Sequence, residues 1–342
     1  MPTIQDVARE AQVSPATVSN VLNGRWKQTS PATRERILEV AQRLNYRPNA
    51  MAAALRTRRT RTIAVVFTNI LNPFYTAVLR GIQDEARRAG YTIVLANSDD
   101  SPELERESVA TFRAQQVDGL IITTTGENDD LLKTLPDTGV PTVLVDRGDP
   151  ELHLDTVRVD NISAARAAVE YLIGLGHRRI AIISGLTTGV PTRAGRVAGY
   201  HQALEAAGIP IREEYQQILP SSVDNGRLAA EALLSLPEPP TALFAANILL
   251  AVGALECIRT RGIHVPGELS FLMFDDPVWS RIANPPVTAV SQPTHRLGAV
   301  AFQLLEARFR KKRPLQTEDI VLPTSLHIRQ SCSAPKRSSA PR

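Results

Sequence analysis

Several polar residues of this chain sit where short apolar runs give out. Asp146 and Arg147 follow TVLV (142–145), Asn247 follows ALFAA (242–246), and Asp275 follows LSFLMF (269–274). Asn72, Phe74 and Tyr75 come after IAVVF (63–67), Arg196 opens a helical segment after IAIIS (180–184), and Gln292 lies near a chain crossover before Pro293. Runs of this kind read as buried parallel strands, and in open α/β sheets ligands bind beyond the carboxyl ends of the strands. A sugar offers vicinal hydroxyls that donate and accept, and a ring with apolar C–H faces. Its recognition calls for carboxylate and amide acceptors, arginine donors and an aromatic plate. This set holds all three. Arg147, Arg193 and Arg196 together lean toward a sugar acid, although arginines on a surface would read the same way. The pair Phe74-Tyr75 leaves a purine-like ligand open, and any one of these residues is also compatible with a strand-end cap.

A second set lies at the start of the chain. Ser14 is a natural N-cap, Pro15 suits the first helical position, and Val18, Val21 and Leu22 then share one face. The opposite face carries Ala16, Thr17, Ser19, Asn20 and Asn23, small residues able to approach base edges in a major groove. Before it, Thr3 caps a short amphipathic helix bearing Ile4, Val7, Ala8 and Ala11, with Asp6 completing a capping box. Two helices this short need a third to close a core. Pro31 to Leu44 supplies it with Ile37, Leu38, Val40, Ala41 and Leu44. The expected unit is a three-helix helix-turn-helix domain that binds double-stranded DNA.

After Tyr46 the composition changes twice. Asn49 can cap an Ala-rich segment up to Leu55 that is too short to be a stable helix alone, and Arg56, Arg58, Arg59 and Arg61 follow as a basic run suited to phosphates. From Ile63 onward strands and helices alternate, with further strands expected over 92–96 and 119–123 and helices over 74–89, 102–115, 130–135, 163–175, 194–207, 226–236 and 249–261. These repeated βα units exceed what one doubly wound sheet holds, so two Rossmann-like α/β lobes with a cleft between them are expected.

The whole chain of 342 residues has a net charge of +4, but the charge is unevenly placed. Residues 1–62 carry 11 Lys and Arg against 4 Asp and Glu, and the remainder carries 28 against 31. The excess of positive charge falls on the end expected to meet DNA. Two cysteines, Cys257 and Cys332, make no disulfide framework, and the six histidines show no metal-ligand spacing, so neither metal nor cofactor nor enzymatic chemistry is expected. Gly174-x-Gly176 precedes its helix, and the 185–189 segment is not followed by Lys-Ser/Thr, so neither is a nucleotide loop. No apolar run spans a bilayer and none precedes the first helix as a leader would, which predicts a cytoplasmic protein without membrane contact. A secreted solute-binding protein would share the lobes but have no use for the helical unit.

Residues 3–24, TIQDVAREAQVSPATVSNVLNG, resemble the N-terminal signature of the lactose/galactose repressor (LacI/GalR) family of bacterial transcription regulators, and the similarity continues along almost the whole chain. The resemblance implies a headpiece over 1–47, and a hinge helix and linker over 48–62. It also implies a periplasmic-binding-protein-like core, with one lobe at 63–161 plus 293–320, a second at 162–292 plus 321–330, and a disordered tail at 331–342. The specificity-setting positions then fall on Pro15, Ala16 and Asn20, where many relatives carry Arg or His in place of Asn20, and the intercalating leucine on Leu55. Sugar contacts fall on Asn72, Phe74, Asp146, Arg147, Arg196, Asn247, Asp275 and Gln292. The family's Asp after the Asn of AAN is replaced here by Ile248. A homodimeric repressor on a near-palindromic operator, controlled by a sugar or sugar-acid effector, is the implied function. A purine-like co-repressor is the alternative.

Overall fold

The computed structural model describes residues 2–26, 29–47, 59–148, 150–310 and 316–336. It divides into two units, Met1–Arg61 and Thr62–Arg342.

In the first unit α1 (Ile4–Glu10), α2 (Pro15–Leu22) and α3 (Pro31–Arg43) enclose a small core of Val7, Ala8, Ala11, Val18, Val21, Ile37, Val40 and Ala41. The expected capping box is present. The Thr3 amide donates to Asp6 at 2.9 Å, and the Asp6 amide donates back to the Thr3 hydroxyl at 3.3 Å. Ser14 and Ser30 each cap a helix that begins with proline. Leu38 differs from expectation, since it is 42% exposed and points away from the core. Its neighbours Ile37 and Val40 already fill the inward face. Asn49, Leu55 and Arg56 lie outside the described residues.

The second unit contains two six-stranded sheets. The first is formed by β1 (Thr62–Phe67), β2 (Thr92–Asn97), β3 (Gly119–Ile122), β4 (Thr142–Val145), β5 (Asp155–Val159) and β11 (Asp319–Leu322), ordered β11-β5-β4-β3-β1-β2 and parallel throughout. The second is formed by β6 (Ile180–Ser184), β7 (Gln216–Ile218), β8 (Ala242–Ala245), β9 (Ser270–Phe274), β10 (Thr288–Ser291) and β12 (Ser325–His327), ordered β12-β10-β9-β8-β6-β7, with β12 alone antiparallel. Each element of one order has its counterpart at the same place in the other.

Helices cover both faces of each sheet. Alternate strand residues choose the face, as the two-residue period of a strand requires. Ile63, Val65 and Phe67 meet α4 (Pro73–Arg88) and α12 (Thr294–Arg310), whereas Ala64 and Val66 meet α5 (Pro102–Ala114). Gly81 of α4 and Gly298 of α12 let those helices touch backbone to backbone, because a Cβ at either would lie 2.0 Å from a carbonyl oxygen of the other helix. In the second lobe α7 (Asn161–Gly174) and α8 (Pro191–Ala206) pack on Ile180 and Ile182, while α9 (Val223–Leu234) and α10 (Ile248–Thr260) pack on Ala181 and Ile183. Short helices α6 (Asp129–Thr134) and α11 (Val278–Ile282) complete the set described here.

Three expectations need correction. The strand at 92–96 is an edge strand with partly exposed residues rather than a buried one. Val321 and Leu322 pair with β5, so the chain leaves the first sheet two residues later than the expected boundary at 320. The start of the tail is ordered: Ser331 is fully buried, accepts the Thr288 amide at 2.8 Å and donates to the Phe271 carbonyl at 2.5 Å. Ser333 reaches further, its carbonyl meeting buried His177 at 2.8 Å. A tail of small hydroxyl residues can act as an additional ladder beside β9, which its polar composition conceals.

Candidate functional site

In both sheets the strand order reverses beside the first strand, with β1 between β2 and β3 and β6 between β7 and β8. Such switch points leave a crevice at the carboxyl ends of the strands. A narrow cavity opens there, lined from both lobes, with about 30 Å³ of space for solvent.

Eight of the nine residues expected for a ligand line this cavity: Asn72, Phe74, Tyr75, Asp146, Arg147, Arg196, Asn247 and Asp275. Asn72 caps α4 by accepting the Phe74 amide at 3.0 Å, and Asn247 caps α10 by accepting the Leu249 amide at 2.9 Å. Each therefore combines a helix-cap role with a place on the cavity wall. Ile248, buried at the first position of α10, leaves the cap to Asn247 alone. Phe74 and Tyr75 are buried in the first turn of α4 with their rings edge to face at 5.1 Å. Arg196 lies flat on Phe274 at 3.7 Å, and donates to Asn161 at 2.9 Å and to the Ala246 carbonyl at 2.8 Å. Its guanidinium is thus fixed by three partners before any ligand arrives.

Gln292 is the exception among the nine. It stands behind the cavity wall and donates to Asp275 at 2.6 Å, orienting that carboxylate. Arg196 is 4.0 Å from the other Asp275 oxygen. Burial pushes the Asp146 and Asp275 carboxyls up from their ordinary values, against the pull of nearby arginines. Asp146 keeps one buried oxygen, and Arg147 its buried Nε, without a hydrogen-bond partner. Unsatisfied buried groups cost about 1–3 kcal/mol each unless a ligand answers them.

Thr68, Asn69, Asp100, Thr192, Arg193, Ser221 and Leu249 also line the cavity. Arg193 enters the sequence reading only as part of a basic group, and Asp100 not at all. Asp100 lies three residues past β2, beyond the strand-end window, and Ser221 follows β7, whose QQI sequence carries no strand signal.

In the helical unit α2 presents Pro15, Ala16 and Asn20 exposed to solvent. Thr17 is half-buried and, with Ser14, engaged in the cap, at 2.8 Å between hydroxyls. Asn23 folds back on α2, donating to the Ser19 carbonyl at 2.6 Å, which leaves its carbonyl oxygen as the outward group. Thr3 is exposed at the start of α1. The pattern read from sequence had no place for Trp26, whose indole donates to the Val21 carbonyl at 2.9 Å and carries the Arg34 guanidinium 3.5 Å above its ring. That contact pins the segment after α2 to α3.

Residues 3–49 match the model of the bacterial regulatory proteins of the lacI family, and residues 169–332 match that of the periplasmic binding protein-like domain. Catabolite control protein A of Priestia megaterium is 37% identical over 329 residues, covering 96% of this chain and 98% of its own. The chain belongs to the LacI family. The HTH-type transcriptional repressor CytR of Escherichia coli K12 is 34% identical over 307 residues, 89% of this chain and 88% of its own. Among solved structures, a complex of the transcriptional regulator CelR with cellobiose aligns with a TM-score of 0.73 at 34% identity, covering 97% of this chain and all of its own. The lac repressor dimer bound to operator and the anti-inducer ONPF aligns with a TM-score of 0.85 at 26% identity, covering 97% and 99%. As a LacI-family protein, this chain is a DNA-binding transcription regulator with a helix-turn-helix domain and two Rossmann-like lobes. Among the described residues no helix is long and apolar enough to cross a membrane.

Proposed function

We propose that this regulator is a homodimeric repressor whose grip on a near-palindromic operator is set by a small sugar-type effector in the cleft between its lobes. The observation that carries this reading is the arrangement around one cavity of acceptors and donors from both lobes, Asp146, Arg147 and Asn72 from the first and Asp275, Arg196 and Asn247 from the second, all buried except the half-buried Asn247. Carboxylates and an amide accept from sugar hydroxyls, the guanidiniums donate to them, and the Phe74 ring offers an apolar plate. A ligand held by both lobes favours one angle between them, and it shifts the equilibrium by its differential affinity for the two arrangements.

In this reading Pro15, Ala16 and Asn20 meet base edges, with Asn20 pairing to a base and the other two giving apolar contact. Thr3, Ser14, Thr17 and Asn23 serve the phosphates and the fit of the helix. Asn49, Leu55 and Arg56, outside the described residues, also serve the DNA in this reading, with Leu55 as an apolar wedge in the minor groove. The cellobiose of the CelR complex supports the sugar class, and the dimeric lac repressor on its operator supports the assembly. A regulator of this kind works in the cytoplasm.

The test has two arms. Thermal-shift screening of sugars, sugar acids and purines should find a stabilising compound among the hydroxylated ligands, by mass action. Asp275→Ala should abolish its effect on operator retardation while operator binding stays measurable. Leu55→Ala should weaken operator binding with little loss of effector affinity. A purine as the stabilising compound, or an unaltered response of Asp275→Ala, would overturn the effector assignment.

A further inference from the structure

Arg147, just beyond β4, and Arg193, in the first turn of α8, come from opposite lobes and ion-pair the same carboxylate. Arg147 Nη1 lies 3.1 Å from one oxygen of Asp100 and Arg193 Nη2 lies 3.4 Å from the other. One carboxylate thus serves two guanidiniums. Arg147 is 4% exposed and its Nε has no hydrogen-bond partner. Arg193 also donates a long 3.4 Å bond to the Leu186 carbonyl. Asp100, by contrast, has a side chain 38% exposed, on a loop where both Asp99 and Asp100 take left-handed backbone, with φ of 50° and 55°. The two arginines are built into the cavity wall. Their carboxylate is borrowed from a loop at its mouth.

The first turn of α8 adds to the imbalance. Its N-cap Val190 offers no side-chain hydrogen bond, no acidic residue lies in that turn, and Arg193 lies there instead, with Arg196 one turn further on. Cations are disfavoured at the positive end of a helix dipole, and anions are favoured. Burial first, and the neighbouring Arg147 charge second, push Arg193 down from its ordinary value. Arg196 is already matched by Asp275 at 4.0 Å, and Asp275 by Gln292.

We infer that the effector carries an anionic group, a carboxylate or a phosphate, that seats between Arg147 and Arg193 in the place the Asp100 carboxylate now holds. This rests on reading the cleft as the effector site. The exchange conserves charge: Asp100 swings to solvent as the anion enters, and the three arginines of the cavity still face three negative groups. A planar guanidinium on each side suits the two-oxygen faces of a carboxylate or phosphate. Because the two arginines belong to different lobes, the anion ties the lobes together where a neutral sugar would leave them to a side chain.

The first probe is inorganic phosphate, added to the full chain at constant ionic strength against chloride, with melting temperature as the readout. Phosphate should raise the melting temperature, Asp100→Asn should enlarge the rise, and Arg193→Met should remove it. The surface variant Arg166→Met, which loses only an exposed pair with Glu170, should keep it. An increment absent from both wild type and Asp100→Asn, or undiminished in Arg193→Met, overturns the inference. The second arm compares glucose with glucuronate and glucose 6-phosphate by calorimetry. A preference of at least about tenfold for either charged sugar, equivalent to about 1.4 kcal/mol, is expected and tells a carboxylate from a phosphate source. Neutral sugar binding as tightly as both charged forms overturns the inference and leaves the sugar reading standing. An Arg193-dependent phosphate effect with no sugar of any charge bound supports the anion seat and removes the sugar reading.

Discussion

Asp146 and Asp275 occupy the same position in the two lobes. Each is the first residue past the fourth strand of its sheet, each is 5% exposed, and each takes left-handed backbone, with φ of 69° and 75°. Aspartate tolerates that region better than most residues, yet it remains a mildly costly conformation. The internal repeat has therefore placed two turned-in carboxylates face to face across one cavity.

Their pH dependence follows from burial. A carboxyl whose pKa in the folded chain is raised above its unfolded value binds its proton more readily when folded, so its stabilising contribution is full below the unfolded pKa and is lost as pH rises through the folded one. Asp146→Asn removes a charge that folding disfavours at neutral pH. The unliganded variant is expected to melt about 2–4 °C higher than wild type at pH 7.5, with the gain shrinking as pH falls toward 4. Calorimetric scans at the two pH values check this, and a lower melting temperature at pH 7.5 would contradict it.

Asp276, one residue after Asp275, should behave with the opposite sign. Burial alone would push it up, but hydrogen bonds from Arg329, Ser280 and His327 hold it well below the ordinary carboxylate range. Its contribution is present above the unfolded pKa and fades as pH falls through the folded one. Asp276→Asn should cost about 2–3 kcal/mol at pH 7.5 and progressively less in acid, read by denaturant unfolding.

Asn20 is the exposed amide on α2 proposed to read a base edge. Asn20→Ala should weaken binding to the preferred operator by about 1–3 kcal/mol and flatten the preference among operator variants at one position, while the salt dependence of binding stays the same. Fluorescence anisotropy at several salt concentrations separates the two effects. A changed salt slope with intact base preference would assign Asn20 to phosphate instead.

Ser331→Ala should lower the melting temperature by several degrees. It strands the Thr288 amide in the interior and leaves the Phe271 carbonyl only the weaker Cys332 thiol donor, at about 1–3 kcal/mol for a buried group left unmatched. A wild-type melting curve would mean that water replaces the hydroxyl.

Residues with regular spacing were legible without coordinates. Val7, Val18 and Ile37 follow the helical period, and the runs at Ile63, Ile180 and Ala242 are apolar enough to be strands buried on both faces. Asp146, Asn247 and Asp275 could be found because they follow such runs directly. The strands β5, β7, β10, β11 and β12 were not legible, since each is short and mixes polar with apolar residues, and β11 finds its partner β5 from a distant part of the chain. Asp100 escaped for a related reason: it reaches the cavity through a turn past an edge strand, and its partner Arg193 is 93 residues away. Gln292 donates its amide N–H to Asp275 and keeps its buried Oε1 without a partner, an arrangement that depends on a few ångströms no periodicity encodes.

The main chain passes between the two sheets at three places: from β5 to the elements of the second lobe, from β10 back to α12, and from β11 to β12. Three neighbouring tethers resist shear and twist far more than they resist bending, as the pins of a door do. On the side of the cavity, the backbones of Gly126 and Gly189 meet with no side chain between them, and a Cβ on Gly126 would fall 1.6 Å from the Gly189 carbonyl oxygen. At the edge opposite those tethers there is thus no room for even one methyl group at position 126, and adding one must part the two backbones.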